Sequence, residues 1–355
     1  MNTVLAALLF VSAWSITFQY INFGADYAVR ALFIVIGACV SAFTANVAFY
    51  LLKTYGVKFD SFGEKLKSAL PEAKSGAPLI TALILALSLP SGISIYALII
   101  TTIFAEFFGK LIFGGFGSNI FNPAAVGIAV GGLTFGSAVV LPDVYAGATP
   151  LADIARYYNW RLSSFQGYSF IDNYGGLFNM FLGAVRGSIG ETARPAVLIA
   201  FVFLAYKKVI DWVVPVVYVD TVFAITFLFS LYICVGFWYP VMHILSGSLI
   251  FGAVFMATDP VTTPINRQGR ILFAIFLAMI TLIIRFNSAH TEAMAFSILI
   301  MNIFVPFIDR KTANITTMGK NAGALCGICL CHCLHFGAFN IAGIERCRFL
   351  YEKNY

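Results

Sequence analysis

Long apolar runs separated by short polar stretches fill most of this chain. Residues 3–22 and 28–52 each hold about the twenty apolar residues that cross the hydrocarbon core of a bilayer. Further apolar runs predict eight more helices. One is a shortened helix from residue 78 to a break at 89–92, and the others lie at about 92–112, 121–139, 176–206, 212–234, 241–258, 271–286 and 292–309. The pattern therefore predicts an all-α polytopic membrane protein with about ten transmembrane helices.

Basic clusters orient these predicted helices. Lysines concentrate in the segment 53–74, and further Lys and Arg clusters lie at 207–208, 267–270 and 310–311. Because basic loops stay in the cytoplasm, all four clusters favour cytoplasmic N and C termini and place the long loop 140–175 outside. Lys110 then lies at the cytoplasmic end of its helix, where Glu106, one turn earlier, can pair with it.

Composition supports a membrane class and excludes a nucleic-acid partner. Hydrophobic residues make up 60% of the chain and charged residues 11%, against about a quarter charged residues in soluble domains. The formal net charge of +6 is spread over short loops and forms no basic patch that would bind nucleic acid. Membrane lipid is the partner that this composition predicts.

Two regions interrupt the helical pattern. Residues 114–127 and 255–264 each place a proline beside short polar residues where a helix begins or ends. Such pairs of interrupted segments point to an internal repeat with a central site, although ordinary helix punctuation gives the same pattern. A third irregular stretch, 187–195, carries charges, and charged backbone at membrane depth lines a cavity or a buried site.

The external loop contains the stretch YAGATPL, residues 145–151, which presents Thr149 in a turn with little steric cover. A loop threonine ordinarily hydrogen-bonds its own backbone. Two functions of different class remain on residues alone. One is a stand-alone channel or carrier with an NPA-type broken-helix pore at 122–124, and the other is a redox subunit with a cofactor on the loop.

Five ordered motifs resemble one known family, the RnfD proteins of Rnf electron-transport complexes, which are homologous to the B subunit of the Na⁺-translocating NADH:quinone oxidoreductase. The resemblance covers about residues 3–311. The motifs are FGGFGSNIFNPAAVG at 113–127, AGATPL at 146–151, RGSIGETA at 186–193, FMATDPVTTPINRQGR at 255–270 and AFSILIMNIFVPFID at 295–309.

The resemblance implies a membrane flavoprotein subunit of an ion-translocating oxidoreductase, inactive alone. Thr149 would carry FMN through a phosphoester bond, made by a separate flavin transferase, and noncovalent riboflavin is a further implied cofactor. Electrons would pass between ferredoxin and NAD⁺ while Na⁺ or H⁺ moves across a bacterial or archaeal plasma membrane. The implied partners are Rnf subunits A, B, C, E and G.

Candidate site residues beyond Thr149 have alternative interpretations. Asn119 and Asn122 either donate to a flavin edge or cap helices. Arg186, Glu191 and Arg194 form an internal ion network, contact a flavin phosphate, or pair with one another structurally. Asp220 and Asp259 are the lone carboxylates best suited to cation coordination, since a hard cation prefers oxygen ligands. We expect no catalytic residue in the strict sense.

The chain is predicted to comprise a transmembrane domain, 1–318, and an atypical tail, 319–355. The tail holds Cys326, Cys329, Cys331 and Cys333 with two histidines, a spacing that superficially suits a metal. Its apolar character favours reduced, inert thiols instead. We therefore predict no metal site.

Overall fold

A computed structural model describes residues 1–53, 63, 76–135, 150–158, 160, 170–185, 187–287 and 293–317, and these residues are almost entirely helical. In chain order the α-helices are α1 (Asn2–Phe23), α2 (Ala25–Lys53), α3 (Ala77–Ser88), α4 (Ile95–Gly109), α5 (Pro123–Phe135), α6 (Pro150–Tyr158), α7 (Gly176–Leu182), α8 (Arg194–Tyr206), α9 (Val213–Tyr232), α10 (Trp238–Leu245), α11 (Leu249–Phe255), α12 (Arg267–Asn287) and α13 (Met294–Thr317). Short 3-10 segments occupy Leu111–Phe113 and Ile189–Ala193.

The helices support an all-α membrane protein. Six described helical stretches are long and apolar enough to cross a bilayer, and α10 with α11 makes up to seven if the bent pair is one span. The two shorter apolar helices, α3 and α5, have 12 and 13 residues. At 1.5 Å per residue each is about 20 Å long or less, short of a hydrocarbon core of about 30 Å. The figure of ten spans and the orientation of the termini stay predictions.

Several predicted helices have different bounds. The helix predicted at 241–258 is wrong as a single element, because α10 and α11 meet at a 53° bend with Ser246 and Gly247 at the break. The run 176–206 is divided into α7, the 3-10 segment Ile189–Ala193 and α8. The pattern at 241–258 does not reveal its break, because the residues there are small and uncharged.

The break after α3 is closed by the 3-10 segment Ile189–Ala193. Ile189 N–H donates to the Leu89 carbonyl at 3.1 Å, and Pro90 and Ser188 form an isolated antiparallel bridge. From α1, the Ser15 hydroxyl donates to the Ile189 carbonyl. Backbone groups that an interrupted helix would leave unsatisfied at membrane depth are thus paired by a distant part of the chain.

The end of α4 touches the start of α5. A Cβ atom added at Gly109 would lie 2.6 Å from Cα of Pro123, which leaves no room for a side chain. A Cβ at Gly127 would lie 2.8 Å from side-chain atoms of Ala105 and Leu85. Glycines therefore allow α3, α4 and α5 to pack closely, as small residues do between membrane helices.

The chain divides into two compact units, Met1–Ile308 and Asp309–Tyr355. The first holds the helical core around the interrupted segments. Of the second, residues 309–317 are described, and they are helical. The predicted domain boundary after residue 318, and the Cys-rich tail, lie outside the described residues.

Candidate functional site

The two interrupted regions meet at Asn122. Its side-chain oxygen accepts a hydrogen bond from Ala125 N–H at 3.1 Å and so caps the N-terminus of α5, which confirms the helix-cap interpretation. Its side-chain nitrogen donates to the Met256 carbonyl at 3.1 Å, just after α11. The side chain of Asn122 therefore caps the helix in the first interrupted region and hydrogen-bonds the backbone of the second.

Asn302 of α13 completes the junction. Its side-chain oxygen accepts from the backbone N–H of Asn122 at 2.9 Å, and its nitrogen donates to the Thr262 carbonyl at 3.2 Å. Both asparagines are buried. Their amides occupy the space between residues 122–124 and 256–262, so this junction is a hydrogen-bonded contact and gives no support to a water pore along the NPA motif.

A cavity of about 240 Å³ lies beside this junction. Its wall is mostly apolar, with Phe116 and Phe255 among the larger side chains. Polar groups also line it, from α3, from the end of α4 and from both interrupted regions: Thr81, Lys110, Asn119, Asn122, Thr258 and Asp259. A mainly apolar cavity with a few converging polar groups is the usual form of a small-molecule or cofactor site.

A buried ion pair forms part of the cavity wall. Lys110 Nζ lies 2.6 Å from Oε2 of Glu106, and both side chains are almost inaccessible to solvent. From α2, Asn46 Nδ2 donates to the same carboxylate oxygen at 2.7 Å. The predicted pairing of Glu106 with Lys110 is confirmed. The pair is also fully enclosed by protein, which the sequence pattern does not predict.

Asp259 also lines the cavity, from the loop after α11. Its carboxylate accepts from Val261 N–H at 3.2 Å and from the Thr262 hydroxyl at 3.1 Å. Burial raises the pKa of Asp259 above the ordinary aspartate value, and these two hydrogen bonds oppose that rise only in part. The site thus presents a carboxyl group with increased proton affinity to the cavity.

Asn119 also lines the cavity, but it does not cap a helix. Its Nδ2 donates to the Phe121 carbonyl at 3.1 Å, a bond that does not use the side-chain oxygen. Its proposed contact with a flavin edge stays a prediction.

Glu191 and Arg194 lie apart from the cavity wall and pair with each other. Their side chains are 3.7 Å apart, and Arg194 Nη1 donates to the Met180 carbonyl. Glu191 Oε1 accepts from the backbone N–H and the hydroxyl of Ser188, a capping box for the 3-10 segment. Among the interpretations of this cluster, the structure favours mutual pairing that closes the backbone.

A second, more open chamber of about 440 Å³ adjoins the cavity, and both are lined by Val209, Ile210, Thr258 and Pro260. At its rim Arg270 Nη1 lies 2.5 Å from the Asp211 carboxylate. Partial burial opposes ionisation of Asp211, but Val213 N–H and Arg270 hold its pKa below the ordinary value.

The remaining predicted site residues lie elsewhere. Asp220, on α9, is exposed and does not line the cavity. Thr149 and Arg186 lie outside the described residues. The helix that begins directly after Thr149, α6, is described: Leu151 and Ile154 are fully buried, and Asp153 accepts a hydrogen bond from the Tyr174 hydroxyl.

Comparison with known proteins decides the family. The sequence model of the NQR2, RnfD, RnfE family matches residues 1–317. The chain belongs to this family. The match covers both interrupted regions, the cavity between them and the Thr149 loop.

Within the family, named relatives belong to ion-translocating complexes. The chain is 35% identical to the D chain of the proton-translocating ferredoxin:NAD(+) oxidoreductase complex of Clostridium ljungdahlii, over 71% of this chain and 77% of the relative. It is 32% identical to the D chain of the Na(+)-translocating ferredoxin:NAD(+) oxidoreductase complex of Acetobacterium woodii, over 69% of this chain and 75% of the relative. It is 30% identical to the D chain of the ion-translocating oxidoreductase complex of Stutzerimonas stutzeri, over 90% of this chain and 91% of the relative.

Sequence reasoning missed two members of the site. Asn302 lies in an apolar helix, where a lone asparagine is itself a signal of buried hydrogen bonding. The pairing of Lys110 with Glu106 was predicted, but not its place in the site. Lys110 lies just before the glycine-rich segment 114–117, and this proximity to an interrupted region is the sequence signal that could have predicted it. Among the residues that the structure describes, no three His, Cys, Asp or Glu side chains are grouped to hold a metal.

Proposed function

We propose that this chain is the membrane flavoprotein subunit of an Rnf-type complex that couples electron transfer between ferredoxin and NAD⁺ to translocation of H⁺ or Na⁺. The observation that carries the proposal is the cavity at the junction of the two interrupted regions, in a chain of this family. Its wall combines apolar and aromatic surface with Lys110, Asn119, Asn122 and Asp259. An electron carrier with an apolar ring system and polar edges suits such a wall.

FMN on Thr149 is the first proposed cofactor. The hydroxyl of Thr149 is proposed to supply the phosphoester oxygen, and the helix Pro150–Tyr158 begins at the next residue of the chain. Helix N-termini favour phosphate because their free N–H groups and the helix dipole attract negative charge. Buried side chains of α6 pack this helix against the protein, so the proposed site of FMN attachment directly precedes a packed helix.

A noncovalent flavin, riboflavin in the first instance, is the second proposed cofactor, and its proposed site is the cavity together with the chamber that adjoins it. The inner volume of about 240 Å³ is below the roughly 300 to 1,000 Å³ of typical ligand sites. The adjoining chamber, with Lys208, Asp211 and Arg270, adds polar space that suits a hydroxylated chain. Bound there, the flavin would supply one- and two-electron chemistry. Asn119 and Asp259 would hold its polar edge, and Lys110 would place a positive charge beside it.

The complex is proposed to contain Rnf subunits A, B, C, E and G, and a flavin transferase is proposed to modify Thr149 on the external face of the membrane. The named relatives include both proton- and Na(+)-translocating complexes at similar identity. Asp259 lines the cavity and Glu106 pairs with Lys110 of the cavity wall, and we propose these two carboxylates as the groups that exchange either cation.

In-gel flavin fluorescence tests the covalent cofactor. The denatured wild-type chain, coexpressed with a flavin transferase, should give a fluorescent band, and Thr149→Val should give none. Thr101→Val serves as the control, because Thr101 is fully buried in α4. An unlabelled wild-type chain beside an active transferase would contradict the proposal and favour a stand-alone channel or carrier.

Flavin extraction tests the second cofactor separately. Acid treatment of the purified Thr149→Val complex should release a flavin that chromatographs as riboflavin, because the cavity does not depend on Thr149. Complete absence of extractable flavin from an intact complex would show that the cavity has another occupant.

A further inference from the structure

Asp220 is a carboxylate on the exposed surface of a predicted membrane-spanning helix. It is the eighth residue of α9, which begins at Val213, so its Cα lies about 10 Å along the helix from that end. The stretch Val213–Ile233 is one of the candidate spans, and a hydrocarbon core is about 30 Å thick. Asp220 is therefore well inside the apolar layer, and its side chain is exposed.

Such a position is unfavourable in lipid. Aspartate is among the costliest residues to place near the centre of a membrane helix, and its side chain is too short to reach the interface as lysine or arginine does. Ionisable groups within transmembrane segments almost always face protein or water and pair with another group. The surface around Asp220 should consequently be covered.

Three other charged clusters within described apolar helices follow that rule. Glu106 pairs with Lys110 and Glu191 with Arg194, and all four are buried. Arg285, also buried, donates to the His243 carbonyl. Asp220 differs, because its side chain forms no hydrogen bond or ion pair with any part of the chain that the structure describes. Its partner is thus to be sought on another molecule.

The residues around Asp220 form a surface that a helix can fit. Exposed side chains recur at four-residue spacing on one face of α9, which we define as the Asp220 face: Asp220, Ala224, Leu228 and Tyr232. Phe223 and Phe227 flank it as a ring pair with centroids 5.9 Å apart. A small residue one turn from a polar one lets a second backbone approach closely enough for an interhelical hydrogen bond.

We propose that the Asp220 face is the docking surface for a transmembrane helix of another subunit, and that this helix presents a lysine or arginine to Asp220. Charge complementarity selects the partner, because a basic side chain at the same depth is itself unfavourable in lipid and both charges are neutralised when they meet. Asp220 is then an assembly residue and not part of an ion pathway. The inference rests on the proposed function only in requiring a complex with other membrane subunits.

Photo-crosslinking in membranes that contain the complete complex tests the docking. A photoreactive amino acid at Ala224 should give one heteromeric product, whose partner peptide is a membrane helix with Lys or Arg. The control places the same amino acid at Val40, which is 56% exposed on α2 and carries no charge nearby on its face. It should not give that product. Crosslinking from Ala224 only to lipid or to a second copy of this chain would overturn the proposal.

Substitution of Asp220 supplies the second test. Asp220→Leu removes the charge without any penalty for membrane insertion, so its level in the membrane should equal that of wild type, while the copurified partner should fall about tenfold. Asp26→Leu, which removes an exposed carboxylate near the start of α2, is the matched control and should copurify normally. If Asp220→Leu retains the partner as well as wild type does, the surface faces lipid or water and the proposal is wrong. Neither readout depends on flavin, so this failure is distinguishable from failure of the proposed function.

Discussion

Two buried ion pairs in this protein have similar chemistry and different surroundings. Glu106 and Lys110 are one helical turn apart, 2.6 Å between charged atoms, and Lys110 lines the cavity. Glu191 and Arg194 are 3.7 Å apart; Glu191 lies in the 3-10 segment that closes the break after α3, and Arg194 is the first residue of the helix that follows it. Glu191 and Arg194 also hold backbone groups of Ser188 and Met180.

The difference teaches that an intramembrane charge is not informative about function until its surroundings are known. The pair Glu191–Arg194 hydrogen-bonds the backbone of an irregular segment, so we assign it the role of stabilising the fold. Lys110 of the pair Glu106–Lys110 lines a cavity, so we assign this pair a role in binding the ligand of that cavity. Four experiments test this division, and they follow in order of expected effect.

Replacement of Arg194 should have the largest effect. Arg194→Leu leaves the Met180 carbonyl without this donor and removes a buried positive charge beside Glu191, which should cost about 3 to 5 kcal/mol of unfolding free energy. Arg194→Lys keeps the positive charge and should lose less unfolding free energy. Denaturant unfolding of the purified protein measures both. A loss below about 1 kcal/mol for Arg194→Leu would place this pair outside the stabilising framework.

Glu106→Gln should affect the cavity more than the fold. Glutamine keeps the shape and an acceptor for Asn46 and Lys110, but Lys110 loses its counter-charge, so we expect a loss of about 3 kcal/mol of unfolding free energy, the lower end of the cost of breaking a buried ion pair. We also expect a several-fold loss of noncovalent flavin per folded molecule. Glu191→Gln is the matched variant and should show the reverse, with normal flavin per folded molecule. Equal flavin loss in both variants would remove the distinction between the two pairs.

Substitutions at the junction of the interrupted regions should reduce the free energy of unfolding by an intermediate amount. Asn122→Ala loses the cap of α5 and the bond to Met256, for about 1 to 2 kcal/mol. Asn302→Ala should cost a similar amount. Because their side chains and backbones are linked, the double variant should cost less than the sum of the single variants. Strict additivity in a double-mutant cycle would contradict a shared junction.

The smallest effect should come from Asp259→Asn, and it should depend on pH. The raised pKa means that the folded state binds its proton to a higher pH than the unfolded state does. Wild-type stability should therefore fall as pH rises from the ordinary aspartate value through this raised pKa, and the variant should lack that fall. Asparagine keeps an acceptor for Val261 and Thr262, so the loss at low pH should stay below about 1 kcal/mol. Unfolding measured at several pH values gives the slope, and a wild-type slope of opposite sign would contradict the burial effect.

Sequence reasoning reached the helical class, the two interrupted regions and several of the polar residues that line the cavity. Asn122 and Asp259 stand beside prolines, and that local signal is readable from the chain. The break between α10 and α11 was missed, because Ser246 and Gly247 are compatible with a membrane helix. Asp220 and Asp259 could not be separated either, since each is a lone carboxylate in an apolar context and only packing places one inside and the other outside.

The closure of the break after α3 also has a consequence for biosynthesis. Leu89 receives its hydrogen bond from Ile189, which is 100 residues later in the chain. At about 5 to 20 residues per second, the ribosome needs roughly 5 to 20 s to deliver that donor. Throughout this interval the nascent chain must keep α3 and its open carbonyl in the insertion machinery, among other proteins or near water. A translational pause between these two positions should therefore prolong the period in which the growing protein is most vulnerable to membrane proteases.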